Sequence, residues 1–271
     1  MGKRVIISVS SDIGISLAKR WINEGHQIIG TYRTESPSTK MLSEAGVELV
    51  YANLSNPDNV KTACKFLREK CQNWECLVMA PGNQDPIGMF ADCEFDGWKE
   101  SISVNFIEQL RVLHSLLPIK DIHSILEPLV LFFAGGGTNN STTHYSAYTI
   151  SKIASIKMME LLDAEIPDIR FSIMGPGWVK TKIHQATLDA KDKAGENYKK
   201  TIEKLDGQEC NPMERVLDCC DWMMSAPKEV IGGRNFSCVF DQWESIELAE
   251  ILKKDKNIYK LRRFGNDCLT V

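Results

Sequence analysis

Tyr148 and Lys152 stand four residues apart in the stretch Tyr148-Thr149-Ile150-Ser151-Lys152. Ile153, Ala154, Ile156, Met159 and Leu162 recur behind them at helical spacing, which predicts a helix with Tyr148 and Lys152 on one face. A phenol beside an ammonium is suited to moving a proton. Tyrosine ordinarily titrates near ~10, and a nearby opposite charge lowers a pKa by roughly 1–3, toward the range where an acid or base works near neutral pH. By itself the spacing also describes a rim aromatic and a solvated charge, so its meaning depends on what surrounds it.

The apolar run Leu129 to Ala134 precedes the pair and reads as a buried strand, joined to the helix by the polar run Gly135 to Ser146. The same alternation fills the chain. Strands are expected over residues 5–9, 26–32, 47–51, 76–80, 129–134, 169–174 and 235–240. Between them, helices are expected from residue 13, around 40–45 up to Gly46, from Asn56-Pro57 to Cys71, and as one long helix over 95–117. Strand alternating with helix predicts an α/β fold: a single Rossmann-type doubly wound parallel sheet of about seven strands with helices on both faces. No internal repeat or linker interrupts it.

Composition narrows the function classes. The 271 residues carry 32 Lys and Arg against 36 Asp and Glu, a net charge of −4, which gives nucleic-acid binding no support. The first residues hold too short an apolar run for a signal peptide, and Ile6 breaks the myristoylation pattern. No stretch approaches the ~20 apolar residues of a membrane span. Nine scattered cysteines without a C-x-x-C pair, Cys268 the last of them, suit reduced thiols in a cytoplasmic protein. The five histidines form no metal-ligand cluster.

In a sheet of this kind, ligands bind beyond the carboxyl ends of the strands. After the first strand comes Ser8-Val9-Ser10-Ser11-Asp12-Ile13-Gly14, a turn into a helix N-terminus that either receives a phosphate or is a plain Ser/Asp cap. Arg33 follows the second strand, where an arginine accommodates a 2′-phosphate; Glu35 serves the alternative of ribose hydroxyls. Asn53-Leu54 follows the third strand and Ala80-Pro81-Gly82 the fourth, while Asn105 sits inside the long helix between apolar neighbours.

This set resembles the short-chain dehydrogenases/reductases over about residues 4–182. The motifs run in the family's order: the loop ending Ile13-Gly14, Asn53-Leu54, Ala80-Pro81-Gly82, Asn105, Tyr148-x-x-x-Lys152 and Pro176-Gly177-x-x-x-Thr181. The resemblance implies one NAD(P)-binding domain over residues 1–271, with a substrate lid at about 183–207 and a tail from about 244. It implies an oxidoreductase interconverting a carbonyl and a secondary alcohol. Tyr148 would be the general acid/base, Lys152 would hold the nicotinamide ribose, and Asn105 would anchor a relay water. Ser10, Ser11, Ile13 and Gly14 would line the cofactor phosphates, Thr31 and Arg33 the adenosine 2′ side, and Asn53 and Leu54 the adenine. Ala80, Pro81 and Gly82, then Pro176, Gly177, Val179 and Thr181, would border the rest of the cofactor. Arg33 favours NADP(H) over NAD(H).

Three departures stand out. The family's first two loop glycines are Ser8 and Asp12, with Asp12 either facing the phosphates or capping the helix and pointing away. Its paired asparagines before Ala-Gly are Met79 and Ala80. Its catalytic serine, 13 residues before the tyrosine, is Gly135. Thr138, Asn139, Ser141 or Thr142, or a substrate hydroxyl, would have to stand in. The polar Thr138 to His144 run points to a small, polar, sugar-like carbonyl or alcohol substrate. The charged 183–207 segment reads as a lid or as a solvated helix pair, and the tail as a docking arm or a loosely held terminus. By resemblance a homodimer or homotetramer forms through the helices holding Asn105 and Tyr148. The eroded loop and Gly135 leave one alternative, a non-catalytic NAD(P)-binding scaffold or redox sensor.

Overall fold

The computed structural model describes residues 2–207 and 209–265; Cys268 and the end of the predicted tail lie outside the described residues. Strands β1 (Lys3–Ile7), β2 (Ile28–Tyr32), β3 (Glu48–Tyr51), β4 (Trp74–Met79), β5 (Leu129–Phe133), β6 (Arg170–Gly175) and β7 (Asn235–Ser237) form one sheet in the order β3-β2-β1-β4-β5-β6-β7. Every neighbouring pair is parallel. The strands read as nearly continuous apolar runs because both faces are covered. Val5, Ile7, Leu77, Met79, Val130 and Phe132 pack on one side and Ile6, Val78, Leu131 and Met174 on the other. Each large apolar side chain buried this way contributes roughly 1.5–3 kcal/mol.

The first face is covered by α3 (Pro57–Lys70), by the helical stretch before β5 and by the helix after it. Against the other lie α1 (Asp12–Asn23) and the helix at Met213–Ser225. Between β2 and β3, α2 spans Pro37–Glu44, starting earlier than its apolar residues suggest because Ser36 and Thr39 form a reciprocal capping box.

Three expectations change. The helix expected over 95–117 is α4 (Phe95–Ile102) and α5 (Glu108–Leu116) joined by a π turn at Ser103–Ile107. Gln109 Nε2 donates to the carbonyls of Val104 and Asn105 at 3.2 and 3.0 Å, which satisfies groups in the loosened turn. β7 stops at Ser237 because Asp241 Oδ2 accepts the Ser237 N–H at 2.6 Å and turns the chain. The tail is no loose terminus over its described part. Buried Arg234 donates to the carbonyls of Leu252 and Ile258, both at 2.6 Å, and Arg262 pairs with Glu160 of the same chain at 2.7 Å. No described helix is long and apolar enough to cross a membrane.

Candidate active site

β1 lies between β2 and β4, so the direction of strand succession reverses there and leaves a crevice at the carboxyl ends. Ile7 is level with Met79, Met79 with Phe132, and Phe133 with Met174. The turns after β1, β4, β5 and β6 therefore emerge side by side.

α6 (Ser146–Glu165) begins where the loop after β5 ends, and Tyr148 lies in its first turn. Trp98 Nε1 on α4 donates to Ser146 Oγ at 3.0 Å and fixes that turn. One turn on, Lys152 is only 3% exposed. Its Nζ donates to the Pro81 carbonyl at 3.4 Å and stands 5.7 Å from the Tyr148 ring centre. The expected lowering of the tyrosine pKa is reversed here. Burial pushes the Tyr148 phenol up to about 12, and burial pulls Lys152 down to about 8. Removing water disfavours both charged forms, so the lysine stays charged at neutral pH but loses its charge from about 8 upward, well below the pH at which the phenol would ionise.

Asn105 is fully buried rather than solvent-facing. Its Oδ1 accepts the Asn83 N–H at 2.8 Å, and its Nδ2 donates to the Asn83 carbonyl at 2.7 Å and to Ser101 Oγ at 3.2 Å. Gln109 Nε2 also reaches the Pro81 carbonyl, at 3.4 Å. Lys152, Pro81, Gln109, Asn105 and Asn83 thus form one polar chain beneath the crevice. Reading the sequence missed Gln109 and Asn83. Gln109 is four residues after Asn105, and that spacing was a usable signal; Asn83 takes part through its backbone, which leaves none.

The Gly135 departure acquires a geometric meaning. A Cβ placed on Gly135 would lie 2.7 Å from Tyr148 Cε1 and 2.8 Å from its hydroxyl. The tyrosine ring occupies the room that a side chain at 135 would need. Of the four stand-ins, Asn139 and Ser141 are exposed, and Thr142 Oγ1 is engaged with Asn140 at 3.5 Å.

At the β1–α1 turn, Ser11 Oγ accepts the Gly14 N–H at 3.1 Å and caps the helix. Gly14 is obligatory, since a Cβ there would sit 2.7 Å from the Ser8 carbonyl oxygen. Ser10, Ser11 and Ile13 remain partly accessible. Ser8 adopts φ 60°, the left-handed region that favours glycine. Ser8→Gly is expected to raise stability by about 0.5–1 kcal/mol, read as a thermal midpoint about 2 °C higher; an unchanged midpoint would mean that the serine is not strained.

Two expected adenosine-side residues point elsewhere. Thr31 is buried and its Oγ1 accepts the Ser8 N–H at 2.8 Å, so it holds the turn rather than facing the 2′ side. Leu54 packs into the core. Arg33 is exposed and makes no ion pair among the described residues. Asn53 Oδ1 accepts the Ser55 N–H at 3.1 Å.

On the far side of the crevice, Asn211 Nδ2 donates to the Pro176 carbonyl at 2.8 Å, and Gly177 has φ 75°. Val179 is buried, and its carbonyl meets His184 Nε2 at 2.9 Å while the His184 ring stacks on Trp178. Thr181 leads into α7 (Gln185–Ala190) and α8 (Glu196–Asp206). Tyr145, Ile87 and Ala194 share a small apolar core, Tyr145 Oη meets Thr187 Oγ1 at 2.8 Å, and Asn197 Nδ2 donates to the Thr143 carbonyl at 3.1 Å. The 183–207 segment is packed on the loop before Tyr148, not merely solvated.

The family model described as short chain dehydrogenase matches residues 4–192. The 3-oxoacyl-acyl-carrier-protein reductase FabG of Buchnera aphidicola is 22% identical over 235 residues, 84% of this chain and 91% of that protein. A short-chain dehydrogenase/reductase of Saccharomyces cerevisiae superposes with a TM-score of 0.74 at 19% identity, over 92% of this chain and 99% of that one. An actinorhodin polyketide ketoreductase solved with NADPH gives a TM-score of 0.72 at 18% identity, over 87% and 95% of the two chains.

Proposed function

The chain belongs to the short-chain dehydrogenase family and is an NAD(P)-dependent oxidoreductase, and from that premise we propose a carbonyl reductase that uses NADP(H) with Tyr148 as its proton donor. The observation that carries the reading is a lysine buried one turn from a partly buried tyrosine, its one hydrogen-bond partner among the described residues a backbone carbonyl. Burying an ammonium so sparsely paired is costly, and a ligand hydroxyl in the crevice would supply the missing partner.

The crevice suits a dinucleotide. Gly14 lets the β1–α1 turn close tightly on the Ser8 carbonyl, and the α1 N-terminus that follows favours phosphate. Ser10, Ser11, Ile13 and Gly14 would hold the phosphates, Arg33 the 2′-phosphate, and Asn53 the adenine edge. Ala80, Pro81, Gly82, Lys152, Pro176, Gly177, Val179 and Thr181 would enclose the nicotinamide half. When bound, the cofactor supplies the hydride.

The chain's own residues handle the proton. Tyr148, kept neutral well into alkali by burial, donates its proton to the carbonyl oxygen in the reduction direction. Lys152 titrates at about 8 and reprotonates the phenolate. Gln109 fixes the Pro81 carbonyl on which Lys152 rests, and Asn105 fixes the neighbouring backbone at Asn83. The polar 138–144 loop and the docked 183–207 lid support a small polar carbonyl substrate. Exposed Ile107, Ile150 and Leu161 support a homodimer or homotetramer through the helices around α5 and α6. The charge and the thiols support a cytoplasmic protein that acts without nucleic acid or membrane.

Calorimetric titration with NADPH and NADH tests the cofactor assignment. Arg33→Ala is expected to weaken NADPH by roughly 10–100-fold, the cost of a lost charge-assisted contact, and to leave NADH nearly unchanged. Equal losses for both would remove Arg33 from the 2′-phosphate.

A further inference from the structure

Asp12 places a carboxylate at the helix N-terminus where phosphate would approach, yet it does not cap that helix, because Ser11 does. Its Oδ2 instead accepts the backbone N–H of Lys182 at 2.6 Å, across 170 residues of sequence, and the Lys182 ammonium lies 3.9 Å from Oδ1. The segment that Asp12 grips continues over the turn after β4, where a Cβ placed on Gly82 would stand 3.1 Å from Ile183 Cδ1. It ends at His184, locked by the Val179 carbonyl and the Trp178 ring. Beyond it, Thr187 is tied to Tyr145 and to Gln84 at 2.8 and 3.1 Å. Residues 181–184 therefore form a strap between the β1 turn and the β4 turn, and the lid hangs from it.

We propose that Asp12 is a positioning residue, a latch whose carboxylate holds the Thr181–His184 strap across the cofactor crevice and so seats the lid. The proposal rests on the dinucleotide reading of that crevice. The carboxylate has two separable effects there. As a hydrogen-bond acceptor it fixes the strap; as a negative charge it opposes an incoming phosphate, a repulsion that the nearby Lys182 ammonium offsets. Asparagine keeps the acceptor and removes the charge, whereas alanine or serine leaves the strap unheld, serine being too short to reach it.

The test compares the full-length protein with D12N, D12A and D12S, each first shown folded by circular dichroism. Limited trypsin digestion without cofactor reads the strap directly through cleavage after Lys180 and Lys182. D12A and D12S are expected to be cut several-fold faster than the wild type and D12N. In NADPH titrations D12N is expected to bind about two- to fivefold tighter than the wild type, from removal of like charge. D12A and D12S are expected to bind more weakly than D12N, and their carbonyl KM is expected to rise while D12N rescues it. If D12N and D12A behave alike in digestion and in binding, Asp12 acts by charge alone and the latch is overturned. If no variant nor the wild type binds a dinucleotide but the digestion rates still separate as stated, the latch stands and the cofactor reading falls.

Discussion

Tyr148→Phe is expected to cut kcat for carbonyl reduction by about 10²–10⁴-fold, the range for loss of a positioned general acid, with NADPH affinity nearly intact. The phenylalanine keeps the ring against Gly135 and loses only the hydroxyl. Because burial holds the phenol near 12, reduction by the wild type should persist through neutral pH and decline only in alkali. Lys152, at about 8, adds an earlier dependence: below that value it is charged and can resupply the proton, and above it that supply fails. A pH profile of kcat for reduction should therefore fall through the lysine's range first. Unchanged activity in the phenylalanine variant would remove Tyr148 from the mechanism.

Gly135→Ser carries the second large effect, and its sign runs against simple restoration of the family pattern. Returning the serine is expected to lower kcat by about 10²-fold rather than raise it. The added Cβ would need the space now filled by Tyr148 Cε1 and the hydroxyl, so the ring must move by about 1 Å to restore ordinary contact. Misplacing a reacting group by about 1 Å costs about 10²-fold. The backbone φ is not the obstacle, because Gly135 is absent from the positive-φ positions. Gly135→Ala should behave similarly, since the obstruction comes from Cβ. A kcat at or above wild type for the serine variant would show that the tyrosine relaxes freely and that the missing hydroxyl was the limitation.

Both predictions concern atoms whose identities are plain in the chain and whose distances are not. The apolar runs at 5–9, 76–80 and 129–134, each followed by a turn and a helix, were enough to determine a parallel doubly wound sheet, because period and punctuation are local properties. The spacing of Tyr148 and Lys152 likewise determined that they share a helix face. The resemblance supplied the order of the motifs around them. Local pattern also misled where a distant group decided the outcome. The long helix carries a π turn at Ser103–Ile107, where buried Asn105 bonds Asn83, 22 residues earlier in the chain. Thr31 turns inward because the Ser8 amide, 23 residues away, needs an acceptor.

Only the tertiary structure decided the electrostatics and the fit of the site. Burial, not the neighbouring ammonium, sets the Tyr148 phenol, because desolvation depends on every element packed around it. Asp12 could be read as facing a phosphate or as pointing away. Neither description anticipates a bond to Lys182, since a contact between residues 170 positions apart leaves no local trace. Gly135 reads as a deletion in the chain and as a packing solution in the fold, where the glycine and the tyrosine ring share one space.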